Sequence, residues 1–297
     1  MNEQSALPRV AVILASTGRP DSLAKAVEYF RLQSLQPSRI ILSVVSLSDL
    51  PPDEVMAGVE ALTGPKGLPA QRNTGLRYLD GKADVIAFFD DDYIPSRYCI
   101  EQIARFFHAH PQVAGANGHL LGDGINSPGI AVAAAEGLIA QYDAAHVARL
   151  DVIRPLAGLY GCNMAYRSTA TQGLWFDERL KLYGWQEDID FAAQVAQRGQ
   201  IVKTNAFAGV HLGVKGGRTS GVRLGYSQVV NPIYLNRKGT MGTGFAARIL
   251  IRNVIANHLR AVRPEPWVDR FGRARGNWLG LFDVMRGRLT PERIEAL

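Results

Sequence analysis

Three consecutive aspartates end an apolar run in the first third of the chain. The run is VIAFFDDDYIPSRY over residues 85–98, and Asp90, Asp91 and Asp92 follow its aromatic residues. Close carboxylates do not all stay ionised without a compensating positive charge. A polar turn that caps the next helix would need only one aspartate. The pattern therefore favours a divalent metal site, because Mg²⁺ or Mn²⁺ held by carboxylates bridges phosphate oxygens.

A second acidic group lies about one hundred residues further along. The string LYGWQEDIDFAAQVAQRG contains Glu187, Asp188 and Asp190 close to Trp185. Acids in the first turn of a helix are favoured by the helix dipole, so capping explains any one of them. An aromatic residue beside three acids favours a further role, in which one carboxylate acts as a general base towards a hydroxyl group.

A histidine follows in the segment GVHLGVKGGR, where His211 precedes a glycine-bearing loop with Lys215 and Arg218. A single histidine at a strand end is usually structural, but such a loop suits an anion. His211 fits an octahedral metal site made mostly of oxygen ligands. The first turn, ASTGRPDS, has neither the GxGxxG nor the P-loop pattern, and a protein without such a loop can bind a diphosphate through a metal held by carboxylates.

The elements that must position these residues alternate between strand and helix. RVAVILAST (9–17) and RIILSVVS (39–46) are typical of buried strands, and FFDDD ends a third. Pro20 suits the first position of a helix, and a second helix is predicted near AQRNTGLRYL. This order predicts a mostly parallel α/β sheet with helices on both faces. Ligands of such sheets bind at the carboxyl ends of the strands, where the aspartates lie.

Composition and charge narrow the class of protein. The 297 residues, 47% of them hydrophobic, fit one large α/β domain or a domain with an extension. Cys99 and Cys162 form no disulfide framework, which indicates a reducing compartment. The N-terminus lacks signal-peptide features, and no run approaches the roughly 18 apolar residues of a spanning helix. We therefore expect a cytoplasmic protein.

The net charge of +6 is unevenly distributed. Residues 1–200 hold 17 Lys and Arg against 22 Asp and Glu, whereas residues 201–297 hold 16 against 5, which gives −5 and +11. From about residue 240 the basic segment is predicted to be helical, with a break at RPEP. Such a segment can meet nucleic acid, anionic lipid or a phosphorylated ligand, or form a solvated surface that docks on the acidic part.

Taken together, these motifs resemble those of the family 2 glycosyltransferases of the GT-A fold, over about residues 8–238. The matching strings, in order, are AST-GRP, GLPAQRNTGL, FFDDDYIP, GCNMAYR, GWQEDID and the later histidine. The likeness is greatest to bacterial transferases that build surface polysaccharides, including rhamnosyl and galactofuranosyl types. It implies a Rossmann-like fold and a cytosolic inverting enzyme that uses a nucleotide-diphosphate sugar and Mn²⁺ or Mg²⁺. We predict a catalytic domain over 1–238 and a basic helical extension over 239–297.

The resemblance also implies roles on the donor side. Thr17 and Arg19 should lie near the base, and Arg72 and Asn73 near the nucleotide or its phosphates, although helix capping also explains the latter two. Asp49 comes later than the acid with which relatives grip the base, so the identity of the base stays open. The three aspartates divide: Asp90 and Asp91 are assigned to the donor, with Asp90 towards ribose and sugar, and Asp92 to the metal together with His211.

On the acceptor side, the resemblance assigns Asp188 as the base that removes the proton of the attacking hydroxyl. Trp185, Glu187 and Asp190 would support acceptor binding or the local fold. Attack from the face opposite the diphosphate needs no enzyme nucleophile.

Two other functions compete with this one. A sugar-phosphate nucleotidylyltransferase would show a glycine-rich, arginine-containing loop after the first strand, which ASTGRPDS lacks. A non-catalytic module that binds acidic glycan or nucleic acid would use aromatic residues among the basic ones, and Trp267, Phe271 and Trp278 are sparse examples. The presence of both acidic clusters favours the enzyme, for which no nucleic-acid partner is expected.

The C-terminal segment bears on where the acceptor is found. It contains an apolar string interrupted by arginines: Phe245, Ile249, Leu250, Ile251, Val254, Ile255 and Leu259. A basic amphipathic segment can lie in a membrane interface, where apolar burial and attraction to anionic lipid act together. The alternative is a helix packed on the catalytic domain or on a second subunit, as in a homodimer. We predict a peripheral enzyme at the inner face of the membrane that extends a saccharide, in particular a lipid-linked one.

Overall fold

The computed structural model describes residues 7–215 and 220–297, so Arg218 of the predicted anion-binding loop lies outside the described residues. The strands found within these ranges are β1 (Val10–Ala15), β2 (Arg39–Val44), β3 (Glu60–Thr63), β4 (Val85–Phe89), β5 (Tyr93–Pro95), β6 (Val113–Asp123), β7 (Val152–Pro155), β8 (Asn163–Arg167) and β9 (Gln200–His211). The helices are α1 (Pro20–Arg31), α2 (Leu68–Leu79), α3 (Cys99–Ala109), α4 (Val132–Ala144), α5 (Ser168–Thr171), α6 (Glu187–Val195), α7 (Gly221–Lys238), α8 (Thr243–Arg260) and α9 (Arg270–Met285).

All the strands join one sheet in the order β3-β2-β1-β4-β8-β6-β9-β5, with β7 paired to β9. The half formed by β3, β2, β1 and β4 is parallel, and so is the pair β6 and β9. Strand β8 runs antiparallel between β4 and β6, and β5 and β7 run antiparallel to β9. The antiparallel strands therefore bring later parts of the chain beside the end of β4.

Helices cover both faces of the sheet, as the sequence predicts. Val12 and Leu14 of β1 pack with Phe30 of α1 in one apolar cluster, whereas Ile13 packs with Leu76 of α2 in the other. Successive residues of a strand point to opposite faces, so a strand buried on both sides needs an unbroken apolar sequence. The run VAVILA of β1 meets this requirement.

The C-terminal helices form a packed group. The predicted break at RPEP is confirmed, because α8 ends at Arg260 and α9 begins at Arg270. Helix α7 packs closely on α9: a Cβ at Gly225 would lie 2.1 Å from the backbone oxygen of Arg273, and one at Gly276 would lie 2.1 Å from that of Val222. Only glycine permits backbones to approach this closely.

Helix α7 lies within the range predicted for the catalytic domain and yet packs on α8 and α9. The boundary between residues 238 and 239 stays a prediction. None of the helices in the described part of the chain combines the length and hydropathy that a membrane span requires.

Candidate active site

The side chains of the three aspartates diverge after β4. Asp91 is buried and accepts a hydrogen bond of 2.5 Å from the Ser16 hydroxyl, and its other oxygen lies 2.5 Å from Nη2 of Arg19. Burial raises the pKa of Asp91 to about 7, although the charge of Arg19 opposes this. Arg19 thus supplies the compensating charge for Asp91, which leaves the other two aspartates to a different partner.

Asp90 and Asp92 meet His211 at the other side of the strand end. One ligand atom from each of these three residues lies within 4.8 Å of the other two. Nε2 of His211 is 3.4 Å from Oδ1 of Asp92 and 3.7 Å from Oδ2 of Asp90. The pairing of β5 with β9 places His211 opposite Tyr93, directly after Asp92. Two carboxylates and an imidazole are suitable donors for Mn²⁺ or Mg²⁺, so the residues fit the predicted metal.

Asp123 and Tyr160, which the sequence did not identify, hold the other side of His211. Nδ1 of His211 lies 2.8 Å from Oδ1 of Asp123 and 3.2 Å from the Tyr160 hydroxyl. Burial lowers the pKa of His211, but the neighbouring carboxylates of Asp123 and Asp92 outweigh it and raise the pKa to about 10. A carboxylate that accepts the Nδ1 proton orients the ring with Nε2 towards Asp90 and Asp92.

Arg72 connects the group formed by Asp90, Asp92 and His211 with the second acidic cluster. Its guanidinium is buried, forms an ion pair with Glu187, lies 3.3 Å from Oδ1 of Asp90 and donates a hydrogen bond of 3.0 Å to the Gly161 carbonyl oxygen. It also lies 5.5 Å from the ring centroid of Phe176. The side chain of Arg72 is therefore part of the site, and helix capping does not account for it.

Asp188 lies at the start of α6 beside this arginine. Its Oδ2 accepts a hydrogen bond of 2.8 Å from the Gly161 amide, and its Oδ1 accepts one of 2.8 Å from its neighbour Ile189. Burial raises the pKa of Asp188 in spite of the charge of Arg72, and burial likewise raises the pKa of Glu187 to about 8. Gln186 precedes these acids in a left-handed conformation with φ of 75°, which is rare for a residue other than glycine.

Asp49 returns to the end of the first two strands in spite of its late position in the sequence. A 3₁₀ turn at Leu47–Asp49 folds the carboxylate back, where it accepts hydrogen bonds from the amides of Gly18 at 2.8 Å and Ser46 at 3.0 Å and from the Thr17 hydroxyl at 3.4 Å. Burial raises the pKa of Asp49, but the backbone donors outweigh it and lower the pKa. Thr17 and Asp49 are thus brought together as one group.

Three predicted residues make their contacts elsewhere. The Asn73 amide donates hydrogen bonds to the Phe176 carbonyl oxygen at 2.9 Å and to Glu178 at 2.8 Å. It therefore connects α2 with the segment between α5 and α6. Asp190 is fully buried and binds Lys238 at 2.8 Å and Thr240 at 2.6 Å. Trp185 is half-buried, and its carbonyl oxygen accepts a hydrogen bond of 2.8 Å from the amide of Asn231 on α7.

Lys215, in the loop predicted to approach an anion, donates hydrogen bonds to the carbonyl oxygens of Gly124 at 2.8 Å and Ile125 at 3.0 Å. These bonds join the loop after β9 to the end of β6. The amide of Val214 donates a hydrogen bond of 2.8 Å to Asp92, so the same loop also holds the carboxylate of Asp92 in place.

Comparisons with known proteins agree with this architecture. Residues 57–127 match the family model described as glycosyl transferase family 2. The fold is similar to that of the mannosyltransferase PcManGT from Pyrobaculum calidifontis, solved with GDP-Man and Mn²⁺, with a TM-score of 0.51 and 14% identity over 98% of this chain and 85% of that chain. It is also similar to S. aureus TarS 1–349 in complex with UDP-GlcNAc, with a TM-score of 0.55 and 12% identity over 97% of this chain and 83% of that chain.

This chain spans 40% of a longer S. aureus TarS chain, with a TM-score of 0.46. A comparison with curated protein sequences finds no match. The matched residues 57–127 include β4 and the three aspartates. The family match and the shared fold confirm that this chain resembles the family 2 glycosyltransferases and has their GT-A fold.

Proposed function

We propose that the protein transfers a sugar from a nucleotide-diphosphate donor to a hydroxyl group of a saccharide acceptor, with inversion at the anomeric carbon. The observation that carries this proposal is the connection made by Arg72 between the metal-binding group and the acids of α6. Its guanidinium contacts both Asp90 and Glu187, the neighbour of Asp188. A donor diphosphate and an acceptor hydroxyl would therefore be bound side by side.

The donor would lie along the carboxyl ends of β1, β2 and β4. Thr17 and Asp49 would meet the base, because backbone donors keep Asp49 ionised and its carboxylate can accept hydrogen bonds from a base edge. Asp90, Asp92 and His211 would hold Mn²⁺ or Mg²⁺. When bound, such a cation neutralises diphosphate charge and stabilises the leaving group. The GDP-Man and Mn²⁺ of the similar mannosyltransferase support this class of donor.

The acceptor hydroxyl would lose its proton to Asp188. The hydroxyl oxygen then forms the bond to the anomeric carbon from the face opposite the diphosphate, while the bond to the diphosphate breaks and the nucleoside diphosphate leaves with the electron pair. The raised pKa of Asp188 moves its basicity towards the range in which a general base is effective. Amides of Gly161 and Ile189 fix the orientation of the carboxylate.

The other acids of α6 have supporting roles in this proposal. Glu187 orients Arg72, with which it forms a buried ion pair. Asp190 is inaccessible to an acceptor and anchors α6 to Lys238, so of its two predicted roles we assign the local fold. Trp185 remains the candidate for stacking against an acceptor sugar.

We further infer that the acceptor is a lipid-linked saccharide of bacterial surface-polysaccharide synthesis and that the enzyme works at the cytoplasmic face of the membrane. The support for this inference is the resemblance of the motifs to transferases of that kind and the net charge of +11 over residues 201–297. Rhamnosyl and galactofuranosyl donors are the first to test.

Donor binding tests the proposal most directly. A thermal-stabilisation screen of nucleotide sugars with and without Mn²⁺ identifies the donor, and isothermal titration then gives its affinity. Asp92→Asn should abolish the effect of Mn²⁺, whereas the exposed Asp53→Asn serves as the matched control and should retain it. Equal affinity with and without Mn²⁺, or in Asp92→Asn, would reject the metal assignment.

A further inference from the structure

Two C-terminal helices carry several of the exposed large apolar side chains. On α8, Ile251, Ile255 and Leu259 recur every fourth residue, and each is at least half exposed. On α9, the exposed apolar residues are Phe271, Trp278, Phe282 and Met285. Residues four apart, or alternately three and four apart, lie on one side of a helix. Each helix therefore presents an apolar stripe to solvent.

The two stripes form one surface, which we call the α8/α9 face. The ring of His258, on α8, lies 5.8 Å from that of Trp278 on α9, and Trp278 lies 6.4 Å from Phe282. The opposite side of α9 is the glycine side that packs on α7. On α9, the exposed apolar side chains are therefore directed away from α7.

Buried polar contacts fix the helices that carry this face. The Asn257 amide donates to Gln228 of α7 at 2.7 Å and to Asn277 of α9 at 3.0 Å, and all three side chains are buried. A fully bonded polar group at a helix crossing specifies how the helices register. The α8/α9 face is therefore a defined surface with few ways to repack and cover its own apolar residues.

The three acids of residues 243–285, which include α8 and α9, already have internal partners. Glu265 binds Arg270 and Arg260, Asp283 binds Arg293, and Asp269 accepts a hydrogen bond from Gly272 at the start of α9. Several exposed arginines have no ion pair within the described residues, namely Arg248, Arg252, Arg263 and Arg275. The region combines exposed apolar side chains with positive charge that is not compensated.

We propose that the α8/α9 face docks on an anionic lipid bilayer. Apolar side chains enter the interfacial region, where Trp278 is well suited, while arginines at the border of the face contact lipid phosphates. A second copy of the chain is a poorer occupant, because a symmetric contact between two such faces would bring uncompensated arginines together. The proposal deepens the inferred membrane location by naming the surface, and lipid binding itself does not depend on glycosyl transfer.

Hydrogen bonds connect the helical group that carries this face with the acceptor side of the site. The Asn231 amide of α7 donates a hydrogen bond to the carbonyl oxygen of Trp185, and Lys238 at the end of α7 donates one to the carboxylate of Asp190. Thr240, just before α8, bonds the same aspartate. Docking of α8 and α9 would therefore fix the position of the segment that carries Trp185 and Asp188 relative to the bilayer, where a lipid-linked saccharide would be presented.

Vesicle sedimentation tests the proposal with the full chain. The probes are vesicles of phosphatidylcholine with about one third phosphatidylglycerol and, for comparison, of phosphatidylcholine alone, both at low salt. Leu259→Ser combined with Phe282→Ser should reduce binding to the anionic vesicles by about tenfold or more. Leu32→Ser is the matched control, because Leu32 is 70% exposed and Leu259 is 72% exposed, but Leu32 follows α1.

Charge is tested separately. Arg252→Gln and Arg275→Gln should each weaken binding about fivefold, because a basic residue near an anionic surface contributes about 1 kcal/mol. Arg149→Gln, an exposed arginine outside the face, should leave binding unchanged.

Three results would overturn the proposal: wild-type protein that stays in the supernatant with anionic vesicles, binding that the face variants do not weaken, or a stable dimer that Leu259→Ser with Phe282→Ser dissociates. The dimer would make the face a subunit interface. Nucleotide-sugar titration of the same samples keeps the two proposals apart, because a wild-type protein that binds lipid without binding donor would refute the transferase alone. Circular dichroism verifies that each variant is folded.

Discussion

Replacement of Asp188 by asparagine separates the chemistry of the site from its architecture. Both oxygens of Asp188 accept backbone hydrogen bonds, one from Gly161 and one from Ile189, each at 2.8 Å. The amide of asparagine retains one acceptor, while its NH₂ group faces the remaining N–H donor. One partly buried hydrogen bond is lost, which should lower the free energy of unfolding by about 1–3 kcal/mol.

The effect on catalysis should be larger. A general base contributes about 10²–10⁴-fold, or about 3–5 kcal/mol of transition-state stabilisation. The assay is release of nucleoside diphosphate from the donor found in the stabilisation screen, since transfer to water also requires a base and needs no identified acceptor. Asp188→Asn should lower kcat on this scale and leave the donor Kd nearly unchanged.

The control is Asp177→Asn, which removes another partly buried carboxylate that is held by hydrogen bonds. Asp177 accepts hydrogen bonds from the amide of Arg179 at 3.0 Å and from Tyr234 at 2.7 Å, and it forms an ion pair with Lys238. It should lose stability while retaining turnover. If Asp188→Asn keeps kcat within about threefold of the wild type, the general-base role is refuted and moves first to Glu187.

Three further predictions concern the residues around this centre. Asp123→Asn should weaken Mn²⁺ binding about 10–100-fold in a titration with metal alone, because the orientation of His211 is lost, and an unchanged Kd would remove Asp123 from the site. Asp190→Ala should lower the free energy of unfolding in urea by about 1–3 kcal/mol, a modest loss because Lys238 is partly exposed and regains water. The variant should keep its donor affinity, and a loss of donor binding in folded protein would contradict this. The lowered pKa of Asp49 predicts a contribution to stability that is present above about pH 4 and is lost as the pH falls further. The acid unfolding of Asp49→Asn should therefore depend less on pH than that of the wild type. Identical profiles for the two proteins would argue against an ionised Asp49.

Local sequence predicts the elements that are covered on both faces. The unbroken apolar run of β1 reflects burial on both faces of the sheet, and the helical spacing of Leu23, Val27 and Phe30 reflects burial of one side of α1. Residues 10–14 and these three helix residues are all buried. Similar reasoning predicts that α6 begins at its cluster of acids and that the C-terminal helical segment breaks at RPEP, because helix dipoles and proline act within a few residues. These parts of the fold follow from forces that operate at short range along the chain.

The parts that escape prediction depend on strand pairing between distant segments. Asp123 reaches His211 because β6 pairs in parallel with β9, with register shifts along the pair, and no local pattern encodes that register. Tyr160 reaches the same histidine through a loop before β8. Asp49 is the opposite case, because the sequence identifies this residue but places it later in the chain than expected. A 3₁₀ turn of three residues, which has no distinctive sequence pattern, brings its carboxylate back to the strand ends.

The charge balance of the site explains why three aspartates can follow one strand. The site gathers six carboxylates, from Asp90, Asp91, Asp92, Asp123, Glu187 and Asp188, around three basic groups, from Arg19, Arg72 and His211. Arg19 is committed to Asp91, and Arg72 is shared between two acids. The raised pKa values of Asp91, Glu187 and Asp188 follow mainly from burial, and nearby carboxylates add to each of them. A divalent cation between Asp90, Asp92 and His211 would supply most of the missing charge, and the diphosphate of a donor would then bind next to a site that is no longer strongly negative.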